Sequence, residues 1–287
     1  MRRFTVLSLV VLGGLQGASA IDVVIPYSTA YGTNPSSPGT GLCGDYWNMG
    51  PFYDNSTAWA HAGANPADAT FKSTLLDYPN GGIDTLFDGN SLNDWLGIDA
   101  GTLMPAAVGS NALETSLWRF RGAISILDAY DQDSGAPGIN VTFGLGSDDG
   151  SGLRIGGIDV IDNGGDHGFG YIVQRVSFEA AGLYPIDIIA YENFGITGIE
   201  WASSIPGGPD SGVPSGTVGV VPTSVLYRSD FGFVRLRRAG ARLAPRDRLR
   251  RHPAGSAPPS TVKSAWRSGH ALPGTPNPLD ARGRIYE

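Results

Sequence analysis

The sequence predicts an all-β fold, and three observations carry that expectation: 42 glycines in 287 residues, apolar alternation of period two through the central stretches, and scarce helical periodicity. Glycine accepts the positive φ angles of tight turns, and alternation places every second side chain on one buried face. One large sandwich or barrel of about 190 residues is expected once a leader and a basic tail are set aside.

The first 20 residues read as a secretory signal, with Arg2 and Arg3, an apolar run from Phe4 to Leu15, and Ala18-Ser19-Ala20 as a small-residue cleavage site. That run is shorter than the about 20 apolar residues a membrane span needs. No later stretch is long and apolar enough for a transmembrane helix, so the product is expected to be secreted, extracellular or at the cell surface, and to start at Ile21. Cys43 is the only cysteine, which rules out an intrachain disulfide and leaves stability to core burial and bound metal.

Charge is divided unevenly. From Ile21 to Tyr227 there are 5 Lys or Arg against 23 Asp or Glu, whereas from Arg228 to Glu287 there are 13 against 4. An acidic core repels nucleic acid and attracts divalent cations, although solubility alone would favour the same composition.

Residues 21–39 mix Tyr, Ser, Pro and Gly without period and read as a linker. Leu42, Tyr46 and Trp47 anchor a first strand, and Thr57–His61 and Ala67–Phe71 read as short extended pieces. Ser91 is placed to cap one helical turn, with Asp94 three residues on. Leu117–Ile126 alternates, with Trp118 and Phe120 on a different face from Arg119 and Arg121. Asp128, Asp131 and Asp133 lack the glycine spacing and terminal Glu of a helix-loop-helix calcium site and read as a solvated turn.

The chain centres on Ser147-Asp148-Asp149-Gly150. Val141, Phe143 and Leu145 alternate before it, Leu153 and Ile155 after it, so two half-buried strands flank an acidic loop. Gly156-Gly157 reads as a two-residue hairpin turn leading to a strand from Ile158 to Ile161. Adjacent side chains on a strand point to opposite faces, so two neighbouring carboxylates act together only if something turns them together. A cis peptide between Asp148 and Asp149, offset by a hard cation such as calcium with its roughly six to eight oxygen ligands, is one solution; an ordinary turn at Asp149-Gly150 is the other.

Beyond it, His167 lies in a polar loop with only His61 for company in the ordered part, so a hydrogen-bonded loop histidine is expected in place of a zinc ligand. Tyr171–Phe178 reads as a strand, Ala181–Pro185 as a turn, Ile186–Glu192 as a strand and Ile196–Trp201 as the last strand. A Pro/Gly linker over 207–227 and a basic, disordered tail over 228–287 complete the chain.

Gly41-Leu42, Gly44 and Tyr46-Trp47, then Asp94-Trp95-Leu96-Gly97, Phe120-Arg121-Gly122, Ser147-Asp148-Asp149-Gly150, Ala181-Gly182-Leu183-Tyr184-Pro185 and Tyr191-Glu192-Asn193 follow one another in an order and spacing that resembles the protective-antigen (PA-fourteen) domain family over 40–206. The resemblance implies an antiparallel β-sandwich with long loops. In lectin-like members, paired aspartates joined by a cis peptide hold a calcium ion that also binds sugar hydroxyls. The resemblance therefore implies Asp148 and Asp149 as metal-binding and substrate-binding residues, with Ca2+ as the cofactor and glycans or cell-surface polysaccharide as partners. Those members also use a loop Asn near the end of the domain, whereas after Trp201 this sequence offers only Asp210.

The function expected is a secreted, lectin-like carbohydrate-binding domain, calcium-dependent, acting in surface adhesion or extracellular matrix attachment. The alternatives are a non-catalytic structural or interaction domain of an exported assembly, and an accessory module of a glycosidase system. An enzyme is not expected: glycosidase carboxylates flank a bond at roughly 5 to 9.5 Å and come from different strands, no Gly-x-Ser-x-Gly elbow is present, and Cys43 has no evident His partner. Trp47, Trp59, Trp95, Trp118 and Trp201 are assigned to the core rather than to a sugar platform.

Overall fold

The computed structural model describes residues 23–79, 91–209 and 214–228. The expected signal, Asp210 and the tail after Arg228 lie outside the described residues.

In chain order the elements are β1 (Val23–Ile25), β2 (Leu42–Trp47), α1 (Asn55–Ala64), β3 (Ala69–Ser73), β4 (Asp77–Tyr78), α2 (Leu92–Leu96), β5 (Ser116–Ile126), β6 (Ile139–Asp148), β7 (Ser151–Ile155), β8 (Ile158–Asn163), β9 (Gly170–Phe178), β10 (Gly182–Glu192), β11 (Gly198–Ser203), β12 (Gly219–Val220) and β13 (Leu226–Arg228). They form a β-sandwich. One sheet runs β1-β9-β6-β11-β12 with β4 also on β11; the other runs β3-β2-β5-β10-β7-β8 with β13 also on β5. All these pairings are antiparallel except that of β1 with β9.

The inward faces meet in one large apolar cluster. Trp95 of α2 lies between Tyr78 and Trp118 with ring centroids 4.7 Å from each, and Phe143 stacks on Trp201 at 5.6 Å. Trp118 and Phe120 are buried in this core, while Arg119 and Arg121 alternate with them on the outward face, bonded to Asp187 and Asp45. Ser91 caps α2 by accepting from the Asp94 nitrogen at 3.2 Å. The hairpin of β7 and β8 turns at Gly156 and Gly157 with φ of 64° and 81°, the left-handed pair such a turn requires.

Five local expectations need correction. Thr57–His61 is helical, inside α1: Asp54 accepts from the Thr57 nitrogen at 2.8 Å, and this N-cap starts a helix that Ala58, Ala60 and Ala62 favour. The stretch read as a linker over 21–39 contains β1, whose Ile25 is fully buried beside Phe178 of β9. The expected turn at Ala181–Pro185 is largely the start of β10, with Tyr184 opposite Ile124. The stretch read as a linker over 207–227 holds β12 and most of β13, because Val220, Val221, Val225 and Leu226 are apolar enough to be drawn into the core. Arg228, assigned to the tail, closes β13.

Candidate functional site

Three connections cross from one sheet to the other at the same end of the sandwich. Asp149-Gly150 carries the chain from β6 to β7, residues 164–169 from β8 to β9, and residues 193–197 from β10 to β11. The register fixes their proximity, since Asp148 lies opposite Gly198, Ser147 opposite Gly170, and Ser151 opposite both Ala190 and Asn163. Carboxylates at the ends of strands distant in sequence are thereby brought together.

The peptide bond between Asp148 and Asp149 is cis. One carboxylate oxygen each from Asp148, Asp149 and Glu192 lies within 4.8 Å of the others, and the three residues are 8%, 6% and 0% exposed. Asp149 is held on both oxygens: Oδ1 accepts from the His167 backbone at 3.0 Å and Oδ2 from the Asn193 backbone at 2.9 Å. Thr197 donates to Glu192 Oε2 at 2.6 Å, while Glu192 Oε1 is buried with no hydrogen-bond partner among the described residues.

Burial and the neighbouring Asp149 push the Asp148 carboxyl up to about 6. Burial, with Asp149 and Asp148 adding repulsion, pushes Glu192 up to about 7. An uncompensated buried carboxylate is unfavourable, so each group favours either a proton or a counter-charge. All three donors are hard oxygens. This buried acidic cluster could hold a metal ion.

Above the cluster opens a cleft of about 480 Å³ whose lining includes Asp148, Asp149, Asp166, His167, Phe194 and Ile196. Phe194 is 64% exposed, an aromatic ring presented to solvent beside buried carboxylates. Asn193 next to it is committed to structure: it exchanges hydrogen bonds with the Phe52 backbone at 2.7 and 2.8 Å and donates to Asp166. The His167 ring nitrogens lie 3.0 and 3.1 Å from the carbonyls of Gly168 and Asn163, the hydrogen-bonded loop histidine expected.

Sequence reasoning brought forward Asp148 and Asp149 but named neither Glu192 nor Phe194 as a functional residue. The usable signal was position: Glu192 ends a strand and Phe194 lies in the crossover that follows, where a side chain is free to face the rim. The tryptophans went as assigned in four cases, with Trp47, Trp95, Trp118 and Trp201 buried. Trp59 is partly buried under the Arg154 guanidinium, 4.3 Å from its ring centre. Asp131 and Asp133 tie their own loop down, Asp131 accepting from the Asn140 nitrogen and Asp133 pairing with Arg175.

No protein-family model matches the sequence, and no curated protein does. Among solved structures the fold is similar to a PA14 domain of the antifreeze protein MpAFP, at 22% identity over 68% of this chain and 95% of that one, with a TM-score of 0.51. It is likewise similar to a PA14 sugar-binding domain from an RTX adhesin, at 19% identity over 66% of this chain and 99% of that one, with a TM-score of 0.50. The two-sheet topology, the crossovers that gather Asp148, Asp149 and Glu192, and these structural likenesses together identify the described part of the chain as a PA14-like β-sandwich.

Proposed function

We propose that the domain is a secreted carbohydrate-binding module that grips saccharides through a calcium ion held by Asp148, Asp149 and Glu192. The observation that carries this reading is the gathering of three buried carboxylates within 4.8 Å of one another, two of which, Asp148 and Asp149, line an open cleft. Glu192 Oε1, without a hydrogen-bond partner among the described residues, is an oxygen suited to a cation. When bound, calcium supplies a positive centre whose waters vicinal sugar hydroxyls replace at little net loss of coordination.

The chain's own groups do the rest. Asp149 is oriented by its two backbone donors, so its carboxylate plane is fixed before any ligand arrives. Phe194 on the rim offers an apolar face to the C–H side of a sugar ring. The RTX adhesin's PA14 domain is described as sugar-binding, which supports the same reading here. A role in surface adhesion or matrix attachment follows from export, for which the first 20 residues are suited; none of the described helices is long and apolar enough to cross a membrane.

Catalysis is not part of the proposal. The carboxylate oxygens lie within 4.8 Å of one another, closer than the roughly 5 to 9.5 Å at which glycosidase carboxyls flank a bond. The test is a glycan array probed with the full chain in millimolar calcium and again in chelator. Retention on a subset of glycans that chelator abolishes is the expected result; equal signal in both conditions sinks the calcium-mediated reading, and no retention in either sinks the lectin reading.

A further inference from the structure

Two large aromatic rings face solvent on neighbouring segments at the acidic end of the sandwich. Phe194 is 64% exposed and Tyr53 is 60% exposed, although each directly follows a residue that is almost wholly buried, Asn193 at 1% and Phe52 at 7%. Those two buried residues are clasped together. The Phe52 nitrogen donates to Asn193 Oδ1 at 2.7 Å, and Asn193 Nδ2 donates back to the Phe52 carbonyl at 2.8 Å. The same Nδ2 donates to Asp166, so the Phe52 carbonyl and the carboxylate of a cleft-lining residue share one donor. Tyr53, next in the chain after that carbonyl, is thereby placed beside the Asp166 wall of the cleft, while Phe194 belongs to the lining itself.

Folding does not require Tyr53 to stand in solvent. Asp54 caps α1, so Tyr53 occupies the position before the cap, from which an apolar side chain often packs on the residue four places into the helix. That residue is Ala58, which is fully buried, and Tyr53 nevertheless stays exposed. Phe52 supplies the packing instead, with its ring centroid 5.6 Å from that of His61 and 6.0 Å from that of Tyr191. One exposed aromatic residue on its own needs no explanation. Two of them, carried on a hydrogen-bonded clasp with buried anchors, extend the aromatic surface beyond the cleft on a fixed support.

We propose that Tyr53 forms a second saccharide subsite beside the cleft, so that the domain takes an oligosaccharide of two or more units in preference to a single sugar. This rests on the carbohydrate reading above and names its ligand class. One sugar unit occupies the cleft against Phe194, and the next unit along the chain lies over Tyr53, whose ring stacks on the C–H face of a pyranose. Asp166, at the boundary between the two subsites, accepts hydrogen bonds from hydroxyls of either unit. Tyrosine suits the outer position because its ring is ordered at low entropic cost and its hydroxyl stays in water.

The full chain is tested in millimolar calcium on an array carrying mono-, di- and tetrasaccharides of the common neutral hexoses, pentoses, deoxyhexoses and N-acetylhexosamines. Within the series that is retained, the half-saturating protein concentration is expected to fall about three- to tenfold from the monosaccharide to the longer members, the size of one added aromatic contact. Tyr53→Ala should erase that gain and leave monosaccharide retention as it was. Tyr53→Phe, which keeps the ring, should restore it. Because the position is exposed, both variants are expected to melt in chelator close to the native chain. Equal retention of mono- and tetrasaccharides by the native chain, a gain with length that survives Tyr53→Ala, or a Tyr53→Ala loss that falls as heavily on monosaccharides overturns the proposal and leaves the carbohydrate reading standing. No retention of any member removes both.

Discussion

The backbone nitrogen of Asn193 donates to Oδ2 of Asp149 at 2.9 Å, and this bond fastens the crossover after β10 to the crossover after β6. His167 does the same for the third crossover through Oδ1, so Asp149 joins all three loops at the site while Asp148 beside it bonds only the Phe169 backbone of that third crossover. The two neighbours therefore differ in role. In metal-free buffer, Asp149→Ala is expected to lower unfolding free energy by about 2–3 kcal/mol, because two backbone donors, one buried and one partly buried, lose a charged acceptor. Asp148→Asn is expected to lose little or to gain slightly, since it removes a like charge facing Asp149 and Glu192. Urea denaturation of the two variants checks this, and equal losses would refute the division.

Calcium is expected to bind the folded protein alone, because only folding assembles Asp148, Asp149 and Glu192. At about 100 times Kd a ligand selective for the native state adds about 2.7 kcal/mol, which for a domain of this size raises Tm by about 5–10 °C. Differential scanning fluorimetry in calcium and in chelator measures it. Glu192→Gln should abolish the shift while leaving the chelator-state Tm near or above that of the wild type; a full shift in that variant removes Glu192 from the site.

The same carboxylates set a pH dependence. Their folded-state values, about 6 for Asp148 and about 7 for Glu192, lie above the ordinary 3.8 and 4.5. Between those limits the native state holds more protons than the unfolded one, so the contribution to stability is full below about pH 4 and is lost as pH rises through 7. Calcium reverses the trend, since it binds the ionised groups and its affinity should climb over the same interval and level off above pH 8. Denaturation midpoints of the apo protein at pH 5 and 7.5 test the first part, with the Asp148→Asn, Glu192→Gln double variant expected to show a flatter profile.

Local sequence carried the strands and the adjacent acids but not what meets them. Val141, Phe143 and Leu145 alternate in a stretch only a few residues long, so β6 and the loop ending it are readable without tertiary information. Glu192 is 43 positions from Asp149, and only the pairing of Ala190 with Ser151 and of Gly198 with Asp148 shows that they meet. The misread helix α1 has a different cause: Thr57, Trp59 and His61 alternate with alanines and imitate a strand, while the deciding signal was the capping Asp54 ahead of them. Short strands such as β1 and β13 were missed because three residues carry almost no period; their order comes from the sheet edge that receives them.

Phe194 permits a test of sugar contact that leaves the metal alone. Its ring is 64% exposed and supports no part of the core, so Phe194→Ala should fold normally and show the full calcium-dependent rise in Tm. Affinity for a glycan selected on the array should fall by up to about tenfold, the equivalent of roughly 1.4 kcal/mol of aromatic contact. Titration calorimetry in calcium reads the change. Unaltered affinity would place the sugar away from this rim.

Gly150 connects the acidic pair to the packing beneath it. A Cβ built there would lie 2.2 Å from the Tyr191 ring, and that ring has nowhere to retreat: it is 1% exposed, packs on Phe52 at 6.0 Å, and its hydroxyl accepts from the Gly165 nitrogen at 2.7 Å. Gly150→Ala must therefore displace either the ring or the loop. Moving the ring frees the crossover at Gly165; moving the loop shifts Asp149 from its two backbone donors. Either route is expected to cost about 1–3 kcal/mol in the absence of metal, by overpacking, and to weaken calcium binding as well. The variant tests whether the site's geometry is imposed by packing from below: a Gly150→Ala protein with unchanged stability in chelator and unchanged calcium affinity would mean that the loop holds its shape without Tyr191.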